Sequence, residues 1–402
     1  MVGRRGSRQA TLVASLLVAG LLVAGCSSSD DAAKKECGSG SACAPADPHL
    51  DDSLKLNQIQ VMGTHNSFHV AATGKEHQLL VALNAEQASQ RTYSHPKLTT
   101  QVTTEKIRQI ELDVFADAHG GLYASPSLRR QAGLSPYVDE VPAMAKPGTK
   151  VLHEQDVDYH SICPVFTDCL KEIKRWSDAN PKHVPFAIDI QFKDGPLIFA
   201  VPDQAKPEHW TTEAMDGLDA EIRSVFPAKE IITPDDVRGS HKTLEEAVLA
   251  KAWPTLGQSR GKVLFQILNG EPYRTIYLNK HDGLKGRVMF TNAQPGQPDA
   301  SYVSVDDPVA DAAKIKDLVE KGYLVRTRAD EPGKQGETGD TSALEAALAS
   351  GAQVISTDYP GPDGAKPSTG TDYTAELPGF RAARCNPVTA PKSCKDAQVE
   401  PG

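Results

Sequence analysis

Two histidines stand where short apolar runs end. Val61-Met62-Gly63-Thr64 leads into His65-Asn66, and Val151-Leu152 leads into His153-Glu154. Imidazole titrates near neutrality, so each can move protons. The amide oxygen of Asn66 is a suitable ligand for a hard cation. A third run, Ile110-Glu111-Leu112-Asp113-Val114-Phe115, carries two carboxylates two positions apart. On a strand they share one face, where they repel each other and are costly to bury without compensation. A divalent cation supplies it, and oxygen donors favour Ca²⁺ or Mg²⁺ over zinc. Ala187-Ile188-Asp189-Ile190-Gln191 places Asp189 and Gln191 on a common face, and Asp189 could complete the metal shell. Singly, each fragment has a plainer reading: a structural histidine, or carboxylates facing solvent.

These residues need elements that bring strand ends together. Eight short apolar runs emerge: Ile59 to Met62, Ile110 to Phe115, Val151-Leu152, Phe186 to Phe192, Val263 to Leu268, Val288 to Phe290, Leu324 to Arg326, and Val354 to Ser356. Most suit strands buried on both faces. Helical patterns lie between several of them: Cys169 to Ala179, Glu213 to Phe226, Leu244 to Ala252, Asp306 to Lys321 and Ser342 to Ser350. The alternation predicts one α/β domain, a (β/α)₈ TIM-type barrel, with the loops after its strands forming the active face. Long connections at 66–109, 116–149 and 193–262 suit either a large substrate or neutral insertion.

Composition narrows the function. The formal net charge is −9 over 402 residues, without a long basic run, which argues against nucleic acid. Arg4, Arg5 and Arg8 precede an apolar stretch, Ala10 to Ala24, too short for a comfortable membrane span. Small residues then lead to Cys26, a pattern resembling the bacterial lipobox. Residues 1–25 thus read as a lipoprotein signal, Cys26 as the acylated residue and 26–50 as a flexible tether. The catalytic domain is expected over 51–402. Six further cysteines fall in close pairs, Cys37 and Cys43, Cys163 and Cys169, Cys385 and Cys394. Three local disulfides are the economical reading and fit export; a zinc site is the alternative.

The succession His-Asn, Glu-x-Asp, His resembles the catalytic region of the Ca²⁺-dependent phosphoinositide-specific phospholipases C, most closely their secreted bacterial relatives. The strong matches cover residues 57 to 192. The resemblance implies catalysis by His65 and His153, with Ca²⁺ on Asn66, Glu111 and Asp113. It implies phosphatidylinositol as substrate at a membrane surface, cleaved to diacylglycerol and inositol phosphate through a cyclic phosphate. Two departures stand out. Where the eukaryotic enzymes carry a fourth ligand glutamate, the register puts Gln191, with Asp189 two residues earlier. Where they carry a phosphate-binding lysine, this chain offers Gln266. Arg326 and Arg328 could bind phosphate or inositol hydroxyls. The expected protein is a monomer, lipid-anchored on the outer face of the cell membrane or secreted. Two alternatives are a glycerophosphodiester phosphodiesterase, whose His-Arg-Gly entry is absent, and a non-catalytic lipid- or glycan-binding lipoprotein.

Overall fold

Val, Ile and Phe dominate the segments that become strands, and all but a few of their residues are buried. The computed structural model describes residues 48–400. The signal segment, Cys26, the Cys37–Cys43 pairing and nearly all of the tether lie outside the described residues. The strands are β1 (Ile59–Thr64), β2 (Gln109–Phe115), β3 (Lys150–Val151), β4 (Phe186–Phe192), β5 (Val263–Ile267), β6 (Met289–Thr291), β7 (Tyr302–Ser304), β8 (Leu324–Arg328), β9 (Val354–Thr357) and β10 (Ala383–Cys385).

Eight of them form a parallel sheet in the order β6-β5-β4-β2-β1-β9-β8-β7. A parallel bridge between Asn292 and Tyr302 joins β6 to β7, so the sheet closes on itself. The architecture is a TIM-type barrel with helices outside, as expected. One of its eight staves differs from expectation. Val151-Leu152 is not a stave: β3 pairs antiparallel with the end of β2, Val114 opposite Val151. Its place in the count is taken by β7, a three-residue strand too brief to register as an apolar run.

Four expected helices form within a few residues of their predicted bounds: Phe166–Ala179, Thr212–Val225, Leu244–Leu249 and Ser342–Ser350. The fifth starts at Ala312 rather than Asp306. Asp306 and Asp307 are occupied otherwise. Asp306 accepts from Arg326 across 2.5 Å, and Asp307 accepts from the N–H groups of Val309 and Ala310. That competition for local donors holds the chain in a turn.

Leu50, Leu54, Ile59, Val61, Val184, Leu256, Val354, Ala383 and Val399 pack as one apolar cluster. It joins the helix Pro48–Ser53 and the C-terminal segment to the strands where they begin. Strand β10 runs antiparallel to β1 there. Disulfides Cys163–Cys169 and Cys385–Cys394 form as expected. Among the described residues no helix is long and apolar enough to cross a membrane.

Candidate active site

The end of β1 is shaped for close approach. A Cβ on Gly63 would lie 1.7 Å from Gln109 Oε1, so only glycine lets β2 begin pairing there. Beyond the strand, Asn66 takes a left-handed φ of 44°, which asparagine tolerates better than most residues. Ser67 then locks the turn to β2. Its N–H donates to Glu111 O over 3.0 Å, and its Oγ accepts from Glu111 N over 2.8 Å.

His65 is held by the last strand of the barrel. Its Nδ1 lies 2.7 Å from Asp358 Oδ1, just beyond β9. Arg328 Nη2 donates to the other oxygen of Asp358 at 3.0 Å. Burial alone would raise the Asp358 pKa, but His65 and Arg328 outweigh it and hold the carboxyl well below its usual range. A carboxylate on Nδ1 assigns the proton to that nitrogen and frees Nε2. Nε2 lies 3.7 Å from Glu111 Oε1. His95 Nε2 donates to the His65 carbonyl at 2.9 Å and secures the backbone. Burial pushes His95 down to about 4, so it is neutral at physiological pH.

His153 is held differently. It follows β3, and a tight turn brings Asp158 back to it. Glu154 and Asp158 exchange backbone hydrogen bonds of 2.9 and 3.0 Å. His153 Nδ1 lies 2.7 Å from Asp158 Oδ2. Asp158 also meets His69 Nε2 at 3.0 Å and Arg91 Nε at 3.3 Å. Burial opposes ionisation of Asp158, yet His69 and His153 overcome it and keep the carboxyl far below its usual range. The mutual benefit raises His69 despite its burial. The rings of His69 and His153 stand edge to face, 5.9 Å apart.

His65, Glu111, Gln191, Asp306, Arg326 and Arg328 line one pocket. Arg326 donates to Glu111 Oε2 at 2.7 Å. Asp113 is fully buried, and neither of its oxygens receives an aligned hydrogen bond. Burial raises its pKa; Lys193, whose Nζ lies 3.0 Å from Oδ2, and His153 work against that, while Glu111 adds to it. Asn66 Nδ2 donates to Tyr93 Oη at 3.0 Å, but its Oδ1 is buried without a partner.

Two predicted residues sit elsewhere. Asp113 pairs in register with Gln191, and Glu111 with Asp189. Asp189 is therefore level with Glu111, and Tyr302 Oη is its neighbour at 3.4 Å. Burial pushes its pKa up to about 8, against the pull of Arg326. Gln191, not Asp189, lines the pocket. Gln266 is also interior. It borders a separate cavity with Ile59, Val61 and Leu264, because alternation along β5 points it into the barrel below the site. Arg326 and Arg328 line the pocket.

Asp358, Asp158, His69, Tyr93, Lys193 and Asp306 escaped the sequence reading. Asp358 and Lys193 directly follow strands, so the rule that found His65 could have found them. Asp158, His69 and Tyr93 lie in irregular loops and leave no periodic signal.

The family description "Phosphoinositide phospholipase C, Ca2+-dependent" matches residues 54–387, most of the chain. The chain belongs to this family. It is accordingly a phosphodiesterase of the phosphatidylinositol-specific phospholipase C type. No curated protein matches it significantly. Among solved structures, it is similar to a calcium-dependent phosphoinositol-specific phospholipase C from a Gram-negative Pseudomonas species, apo form and myoinositol complex. That match has a TM-score of 0.51 at 16% identity, covering 86% of this chain and 100% of the other. A phosphatidylinositol-specific phospholipase C from Streptomyces antibioticus aligns with a TM-score of 0.46 at 17% identity, over 76% and 95% of the two chains. The first likeness bears on the fold. A family cation also fits the residues present. Asn66 Oδ1 and Asp113 Oδ1 are buried hard donors without a partner, and Asp113 Oδ2 meets the Lys193 ammonium; with Glu111 they make the oxygen set a Ca²⁺ ion prefers.

Proposed function

We propose that this phospholipase C cleaves phosphatidylinositol with His65 and His153 as its proton-transfer pair. The carrying observation is that each imidazole gives Nδ1 to its own buried aspartate, Asp358 or Asp158, at 2.7 Å. That leaves both Nε2 atoms for chemistry, and the unpartnered Asn66 Oδ1 and Asp113 Oδ1 support a cation bound beside them. Asn66, Glu111 and Asp113 would hold Ca²⁺, and Gln191 lines the same pocket as Glu111. When bound, the ion lowers the pKa of the inositol 2-hydroxyl and polarises a phosphoryl oxygen.

One imidazole accepts the proton of the 2-hydroxyl as that oxygen attacks phosphorus. The bond from phosphorus to the glycerol oxygen breaks, and the other imidazole protonates the departing diacylglycerol. The same pair then serves water as it opens the cyclic inositol phosphate. Asp358 and Asp158 stay ionised throughout and hold the two rings in orientation. Arg326 and Arg328, which line the pocket beside Glu111 and His65, orient phosphate or inositol hydroxyls.

The export reading rests on Arg4 to Cys26 and on the disulfides. It places the enzyme outside the cytoplasm, tethered through lipid on Cys26. Cys26→Ser should abolish palmitate labelling and release the protein to the medium.

Phosphorus NMR of phosphatidylinositol turnover, with Ca²⁺ and with chelator, tests the activity. A cyclic inositol phosphate resonance should appear first and only with Ca²⁺. Glycerophosphocholine serves as the comparison substrate. Its preferential cleavage, or full activity in chelator, would overturn the reading.

A further inference from the structure

Lys193 touches the donor cluster but cannot join it. It directly follows β4, two residues beyond Gln191. Its N–H donates to Val114 O at 2.9 Å, which fixes the residue beside the end of β2. Its Nζ lies 3.0 Å from Asp113 Oδ2, with 26% of the side chain exposed. Glu111 and Glu154 also face its charge, and His153 faces the carboxylate it pairs with.

An ammonium has three donors and no lone pair, so it cannot be a metal ligand. It neutralises the same buried carboxylate that a divalent ion requires. Two cations against one buried oxygen repel, and the repulsion grows as the surroundings become less polar. Lys193 must therefore leave Asp113 when that oxygen is ligated. Its partial exposure and long stem give it somewhere to go: solvent lies within reach of the ammonium.

We propose that Lys193 is a built-in competitor for the cation site, one that sets Ca²⁺ affinity by holding Asp113. This rests on the ligand assignment above. It makes Lys193 a positioning residue with an unusual sign. Losing a lysine that merely braces the site would weaken Ca²⁺ binding, whereas losing a competitor strengthens it.

Calorimetric Ca²⁺ titration of the full chain separates these. Lys193→Met should lower the Ca²⁺ dissociation constant by about tenfold or more, as loss of one buried charge pair implies. Lys193→Arg keeps the charge and should remain near wild type. Chelated Lys193→Met should melt below chelated wild type, and saturating Ca²⁺ should close that gap. Unchanged or weaker Ca²⁺ binding by Lys193→Met, with Lys193→Arg folded and wild-type-like, would overturn the proposal. Asp113→Asn separates the two ideas. If it abolishes binding while Lys193→Met changes nothing, only the competitor fails. If Asp113→Asn binds Ca²⁺ as wild type does, the ligand assignment fails and the competitor with it.

Discussion

The two histidines have the same partner chemistry but different foundations. His65 stands on the barrel: β1 delivers it, Asp358 follows β9, and Arg328 ends β8. His153 hangs from β3, a two-residue antiparallel strand outside the ring of staves. Its aspartate comes from a turn, and its other supports, His69 and Arg91, come from the long loop after β1. One half of the proposed active site is set by sheet register. The other is assembled from loops and depends on buried charge for its order. A rigid half and a loop-built half should fail in different ways.

The largest effects should come from the imidazoles. His65→Ala and His153→Ala should each lower kcat by ~10²–10⁴. Equal, wild-type rates in both would remove the comparison altogether. The aspartates sharpen it. Asp358→Asn should cost about 10- to 100-fold in rate, as loss of an orienting partner does, with the fold intact. Asp158→Asn should lose rate too, but also stability of about 3 kcal/mol, because His153, His69 and Arg91 all lose their buried carboxylate. Thermal melts of the pair tell them apart; identical melts would show that the loop half is as firmly set as the barrel half.

Next in size is acid. His95 braces His65 and is neutral when folded, with a pKa of about 4 against 6.5 unperturbed. The unfolded chain binds its proton first, so stability falls as pH drops from 6.5 towards 4. His95→Gln should flatten part of that slope in melts across the window, a contribution on the order of 3 kcal/mol. Smaller still is the Cys163–Cys169 disulfide, which closes a short loop below His153. Replacing both cysteines by alanine should cost about 2 kcal/mol and raise protease sensitivity around 152–162. Smallest is Asp189→Asn. A carboxyl already protonated in place has a near-isosteric amide, so Ca²⁺ affinity should stay within about twofold, well under one pKa unit's worth of energy. A large loss would return Asp189 to the ligand set.

The contrast also explains what could be read from the chain. Strand alternation and strand ends are written in sequence, so the barrel, His65-Asn66 and Glu111-Asp113 were legible. The same rule extends to Asp358 and Lys193, which directly follow their strands. His153 was found by the wrong reasoning, since Val151-Leu152 looked like a stave and is a side branch. Asp158, His69 and Tyr93 depend on long-range loop packing, which leaves no period to detect. Depth within the barrel was equally hidden. Asp189 and Gln191 share a face, and only the folded barrel shows that Gln191 lines the pocket.

Because β3 branches off the ring, no stave depends on what lies between Ala116 and Thr149. That stretch can lengthen, shorten or change its character without shifting the pairing of any barrel strand. Descendants of such a protein are free to remodel the surroundings of the second histidine while inheriting those of the first unchanged.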